Sequence, residues 1–280
     1  IRMYVVLMAA VECGALNVGC ASLGPAVERA GAPENAPSPG EILADLAAND
    51  NAIQSFRAGG TFTLESPKLE STQRFRGGRI LFRRPADLYV QGNHRVTNMA
   101  IFKLYCAGEE FLMEFPTQQE QSFYQFECEQ FEDVPFSVSP SDIAREMFLP
   151  EDWDALASGG VTLAKYDAGH GTATLEVRSA AGASRVIDVV RVAGEAPGWA
   201  ISRNERRDET GRTLAVTTLG DYRAYESVRF PSSVEAWFPT EETRMTIEIR
   251  TVQFNGEIED KYFDLRARAA ELGLMTAGTR

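Results

Sequence analysis

Two histidines, four cysteines and a few neighbouring acidic pairs are the side chains of this 280-residue sequence best suited to catalysis or metal binding. His94 follows Gly92-Asn93 and His170 sits in Gly169-His170-Gly171, both of which read as turns. Zinc wants three or four clustered ligands, and neither histidine has such company in the sequence. Glu109-Glu110, Glu241-Glu242 and Glu257 with Glu259 could serve as a glycosidase pair only if two carboxyls faced each other across a cleft. They read instead as solvated turn residues. A Gly-x-Ser-x-Gly elbow, a phosphate-binding loop and a dinucleotide fingerprint are all absent from the sequence. The expectation is a protein that is not an enzyme and takes no cofactor or metal.

The cysteines point to another chemistry, attachment of lipid. An apolar run over residues 4–11 leads to Gly14-Ala15 and then Leu16-Asn17-Val18-Gly19-Cys20. That order reads as a secretory hydrophobic region and cleavage site. Val18-Gly19-Cys20 resembles a lipobox, whose cysteine is acylated and becomes the mature N-terminus. Asn17, where an aliphatic residue is usual, and Glu12, a charge within the hydrophobic region, depart from the pattern. The alternative is an uncleaved anchor helix, but the run falls short of the roughly 20 apolar residues a span needs. Cys13 would then leave with a signal peptide of residues 1–19, and Cys20 would carry the lipid. Cys106 and Cys128 would remain where a disulfide is permitted. Whether they bond depends on Cα atoms approaching within about 7 Å, which the sequence leaves open.

Net charge of −12 argues against nucleic acid, since phosphate binding needs a basic face. With 44% hydrophobic residues the chain can bury a core. Residues 20–38 are rich in Ala, Pro and Gly and read as a flexible tether behind the lipidated end. Ser38-Pro39-Gly40-Glu41 gives a helix start with a capping box. Ile42, Leu43, Leu46, Ala47, Ile53 and Phe56 form an apolar stripe that predicts a helix stopping at Gly59-Gly60. Beyond it the period falls to two. Short strands are predicted around residues 61–64, 79–82, 87–90, 111–115, 161–163, 173–177, 186–192, 199–203, 213–219, 234–238 and 245–249. A polar helical interlude at 139–158, with Ile143, Met147, Phe148, Trp153 and Leu156 on its apolar face, divides them. A short helix near 260–270 closes the series. About a dozen strands joined by tight turns exclude a parallel α/β sheet. The fold class is mainly β, one strongly curved antiparallel sheet over residues 39–270 with a tail at 271–280. Met245-Thr246-Ile247-Glu248-Ile249-Arg250 puts its apolar residues on one face, so one face should be wet and the other covered by helices or a ligand.

Several local runs resemble the LolA/LolB-like family of lipoprotein carriers and receptors. Arg76-Gly77-Gly78-Arg79-Ile80-Leu81-Phe82-Arg83-Arg84-Pro85-Ala86-Asp87-Leu88-Tyr89-Val90 is similar to that family's second hairpin, where a glycine-started strand ends in Arg-Pro and the next begins with an apolar residue three places after the proline. Ala107-Gly108-Glu109-Glu110-Phe111-Leu112-Met113-Glu114-Phe115-Pro116 is similar to its turn and aromatic strand. Phe230-Pro231-Ser232-Ser233-Val234-Glu235, followed by the run from Thr246 to Phe254, then Asn255 and Phe263, resembles its two last long strands and closing Phe. The resemblance implies an unclosed β-barrel with helices as a lid, whose interior takes acyl chains of a lipoprotein or another lipid. It implies an outer-membrane lipoprotein facing the periplasm, a periplasmic carrier protein as a partner, and an exposed apolar loop that the sequence does not single out. It also implies that Arg84, which shares a strand face with Ile80 and Phe82, closes the lid through backbone carbonyls; the alternative is a solvated arginine at a strand end. Phe62, Leu64, Ile80, Phe82, Leu88, Val90, Met113, Phe115, Ile247 and Ile249 are candidates to line the lipid cavity or to pack as core. Two functions remain open: a lipid-binding module, or an interaction lipoprotein with a filled core. A carrier needs a contiguous apolar cavity of several hundred Å³; a scaffold does not.

Overall fold

The structure is a computed structural model and describes residues 36–274, except 70, 95, 109, 118–121, 126–145, 147–152, 159, 180–181 and 195–196. The expected signal peptide, Cys20, nearly all of the tether, Cys128, Ile143, Met147 and Phe148 lie outside the described residues.

Helix α1 (Pro39–Asn51) starts as the sequence predicts. The Ser38 hydroxyl accepts the Glu41 N–H at 3.2 Å, and the Glu41 carboxylate accepts the Ser38 N–H at 2.7 Å. The helix does not reach Gly59-Gly60. It ends at Asn51, so that Ile53 is buried from the connection that follows and Phe56 from strand β1 (Ser55–Glu65). The two glycines lie inside that strand, where it bulges against β15 (Thr243–Phe254). A Cβ on Gly60 would stand 2.3 Å from the Glu248 carbonyl oxygen. They serve a close strand approach, not a helix stop.

After β1 come β2 (Gln73–Arg83), β3 (Asp87–Asn93), β4 (Ala100–Ala107), β5 (Glu110–Glu114) and β6 (Phe123–Gln125). The six-residue helix α2 (Trp153–Ser158) precedes β7 (Val161–Asp167), β8 (Thr172–Arg178), β9 (Ser184–Val192), β10 (Gly198–Arg207) and β11 (Thr213–Gly220). A small hairpin, β12 (Arg223–Tyr225) with β13 (Val228–Phe230), stands apart from the main sheet. Then follow β14 (Ser233–Phe238), β15, a 3-10 turn (Asp260–Tyr262) and α3 (Leu265–Glu271). Thirteen strands form one antiparallel sheet in the order β6-β5-β4-β3-β2-β1-β15-β14-β11-β10-β9-β8-β7. It is a curved sheet that does not close into a barrel. In the sheet, the pairing of β1 with β15 joins the meander β1–β6 to the meander from β7 to β15.

Three apolar clusters hold it. The inner face of β1–β5, β14 and β15 packs Phe56, Phe62, Ile80, Phe82, Leu88 and Ile247 together. Ile42, Leu43 and Leu46 of α1 sit on Leu175, Ile187, Val189 and Trp199 of β8–β10. The outer face is wet on β15 as expected, where Glu248 and Arg250 are exposed, but the third cluster shows that it is covered on β2–β5. Leu81, Tyr89, Tyr105 and Leu112 point outward from β2–β5, yet Ile258, Phe263, Leu265 and Ala269 cover them. Glu114, 1% exposed, pins this cover. It accepts Arg268 Nε at 2.9 Å and Nη2 at 2.7 Å, Lys103 Nζ at 3.0 Å and the Tyr105 hydroxyl at 3.2 Å. Burial alone would raise the Glu114 pKa, but the bonds to Arg268 and Lys103 outweigh it and hold the carboxyl below its ordinary value.

Candidate functional site

A helix ends with carbonyls that have no intrahelical partner, and the partial negative charge there attracts cations. At the end of α1 those carbonyls are met by side chains from the sheet. Arg84 donates from Nε to the Ile53 carbonyl at 2.8 Å and from Nη2 to the Asp50 carbonyl at 2.7 Å, while its N–H reaches the Gln54 carbonyl at 2.9 Å. Asn255, just past β15, donates to the Ala52 carbonyl at 2.9 Å and accepts the Gln54 N–H at 2.8 Å. On the opposite flank Asn49 and Arg229 exchange two bonds through the Arg229 backbone, at 2.7 and 3.1 Å. Asp45 accepts Arg229 Nη2 at 3.1 Å as well as the Trp199 N–H. The indole of Trp153 in α2 donates to the Asp50 carboxylate at 2.9 Å. α1 is therefore a roof, glued by its apolar face to β8–β10 and stitched by polar bonds along its C-terminal half.

Under this roof lies a cavity of about 160 Å³. Leu46, Asn49, Asp50 and Ile53 form its ceiling, and Phe56, Ile80, Phe82, Arg84, Val234 and Ile249 the floor on one side. Trp199, Asn204, Thr217, Tyr222 and Arg229 line the other side, and the Tyr222 hydroxyl donates to the Ile201 carbonyl at 2.7 Å. A second, wholly apolar space of about 40 Å³ is lined by Phe62, Leu64, Phe75, Val90, Phe102, Met113 and Ile247. It lies about 20 Å further along the half-pipe, judged from the strand rise between Phe56 and Phe62.

All ten residues proposed for the lipid cavity are buried in the inner-face cluster. Ile80, Phe82 and Ile249 border the roofed cavity, and Phe62, Leu64, Val90, Met113 and Ile247 the smaller one. Leu88 and Phe115 border neither. Each of these two cavities falls well below the several hundred Å³ expected of a loaded carrier, and Phe56, Phe62, Phe75 and Phe82 occupy the inner face beside them. Among the described residues, sequence reasoning missed Trp199, Asn204, Thr217, Tyr222 and Arg229. Cys106 is buried on β4 among inner-face residues. His94 and His170 both lie in exposed hairpin turns; His170 Nδ1 is 2.9 Å from the Asp167 carboxylate. No group of three His, Cys, Asp or Glu suited to a metal ion occurs among the described residues. None of the described helices is long and apolar enough to cross a membrane. Val96 and Met99, at the β3–β4 tip, are the exposed large apolar side chains among the described residues.

No family model matches the sequence, and no curated protein matches it. Solved structures do. A structure described as an outer membrane lipoprotein-sorting protein domain from Vibrio parahaemolyticus superposes with a TM-score of 0.57 at 11% identity, covering 81% of this chain and 96% of that one. A DUF1329 family protein from Desulfovibrio piger gives 0.57 at 12% identity, covering 82% and 99%. A LolA superfamily protein from Nitrosomonas europaea gives 0.51 at 12% identity, covering 81% and 98%. At such identities the likeness bears on architecture, and in architecture the open sheet, its roof helix and its inner apolar face make this a domain of the LolA-type fold.

Proposed function

We propose that this chain is a cell-envelope lipoprotein, anchored through Cys20 at the outer membrane, whose half-barrel takes up acyl chains of a lipid or lipoprotein beneath α1. One observation carries the reading: a hollow lies between an apolar inner face and a helix whose C-terminal seam is held by Arg84. A cavity near 150 Å³ is the size that admits benzene, so an acyl chain requires the seam to part and the aromatic floor to rearrange. The structure then corresponds to the closed state. Each methylene buried from water contributes about 0.8 kcal/mol, which offsets the lost Arg84 bonds within a few carbons. Release follows when a membrane offers the same burial. The apolar β3–β4 tip, with Val96 and Met99, suits the membrane contact that such a transfer requires.

The test is native mass spectrometry with lipid extraction on protein purified from a bacterial envelope. Co-purifying acyl lipid, lost in Phe82→Glu, supports the proposal. A clean apo mass with no uptake of a fluorescent fatty acid refutes it. That outcome supports the second reading, an interaction lipoprotein with a filled core, which the small cavities and the covered outer face of β2–β5 favour.

A further inference from the structure

The inner face is apolar along β1–β5, but one stretch of the cavity wall on β10 and β11 is not. Asn204 and Thr217 are buried there, and Arg206 follows two residues along β10. Helical Glu146 reaches the same cavity. Its carboxylate is spread along the wall. One oxygen stands 2.9 Å from Arg206 Nε, and the other accepts the Thr217 hydroxyl at 3.3 Å. The Glu146 side chain is 2% exposed and that of Arg206 19%. A buried ion pair stabilises a fold less than well-packed apolar side chains of equal volume, so a filled core has no need of one here. Next to it the cavity offers hydrocarbon surface from Ile80, Phe82 and Ile249.

We infer that this wall recognises the carboxylate of a fatty-acid-like amphiphile, and that Glu146 occupies it as an internal stand-in which the ligand's carboxylate displaces. The guanidinium of Arg206 keeps its charge at every working pH and presents its donors in a planar fork that matches a carboxylate. Exchange of one carboxylate for another leaves the buried charge balance unchanged, while Glu146 regains water and the ligand's chain gains the apolar floor. A compact carboxylate suits a space of about 160 Å³; a glycerophosphate head does not. This inference rests on the acyl-binding proposal and names the end of the ligand that is read.

The test is calorimetric titration of the full chain with dodecanoate and with dodecanol at about pH 8, where a carboxyl is ionised. Three proteins are compared: wild type, Glu146→Gln and Thr217→Val. The glutamine keeps the shape and an oxygen facing Arg206, and a thermal scan verifies that each variant is folded. Wild type should prefer dodecanoate. Glu146→Gln should tighten dodecanoate by roughly ten- to a hundredfold, the worth of a hydrogen bond to a charged group, and leave dodecanol unchanged. Thr217→Val should weaken dodecanoate alone. Equal binding of both ligands in all three proteins, or no gain for dodecanoate in Glu146→Gln, overturns the inference and leaves acyl binding standing. Binding of neither ligand to any protein overturns acyl binding itself.

Discussion

Replacing Arg84 by leucine tests whether the α1 seam is held as the geometry indicates. The substitution removes two charge-assisted bonds, to the carbonyls of Asp50 and Ile53. Each is worth about 1.5–3 kcal/mol. Arg84 is only partly buried, so water can take up part of the loss. A combined cost of about 3 kcal/mol corresponds to roughly a hundredfold rise in the population with the seam open. The apolar contacts of Ile42 and Leu43 lie nearer the N-terminal end of the helix and stay. The opening should therefore be local, and amide hydrogen exchange reads it. Protection over residues 46–53 should fall about a hundredfold, with β2 and β15 unchanged. Arg84→Lys should fall in between, because an ammonium cannot match the fork that spans two carbonyls. Unchanged protection in 46–53, or a loss shared equally by β2 and β15, would refute the assignment of Arg84 to the seam.

Gly60→Ala should lower stability by about 3 kcal/mol, seen as a reduced urea midpoint, because its Cβ meets strand backbone and not a yielding side chain; an unchanged midpoint contradicts the close approach of β1 and β15. Acid should unfold the protein below the usual carboxylate range. The Arg207 bond, joined by Arg203 and Thr213 against the opposing effect of burial, brings Glu205 to about 2 from an ordinary 4.5. The native state thus binds fewer protons than the unfolded one in that window, so this stabilisation is complete above about pH 4.5 and fades toward about pH 2. Glu205→Gln should flatten the slope of stability against pH there, and an unaltered slope counts against the network. Val96→Glu with Met99→Glu should weaken binding to lipid vesicles by about tenfold or more while leaving the thermal midpoint in place, given about 1.5–3 kcal/mol for each apolar side chain buried; unchanged vesicle affinity excludes the tip as the membrane contact.

What could be read in advance followed from local rules. The Ser38 cap, the antiparallel sheet and the inward parity of Ile80, Phe82 and Arg84 needed only spacing and residue type. The polar wall did not yield to the same reasoning. Ser202-Arg203-Asn204-Glu205-Arg206-Arg207 is polar throughout, and a register shift between Ile201 and Arg203 changes which residues face inward. Period two cannot detect that. Strand β4 escaped because Leu104 and Cys106 are buried on one face and Tyr105 on the other, which erases alternation. The cover over Leu81 and Tyr89 comes from the C-terminal segment, and no local pattern announces a partner so distant in sequence.

The pairing of β1 with β15 also shapes how the domain is made. Most neighbouring strands of each meander are hairpin partners that find each other over short loops, while the central seam joins Phe56 to Phe254 and Leu64 to Met245. Loops of that length close slowly. A chain emerging from its N-terminus would thus hold β1 with one bare edge until nearly all the sequence has appeared. That edge is a template for pairing with other chains, and Phe56, Phe62 and Leu64 beside it lack part of their cover until β15 arrives. The strand laid down almost last is therefore the one that removes two aggregation-prone edges at once, and truncations that remove it should fail by association between chains well before they fail by loss of local structure.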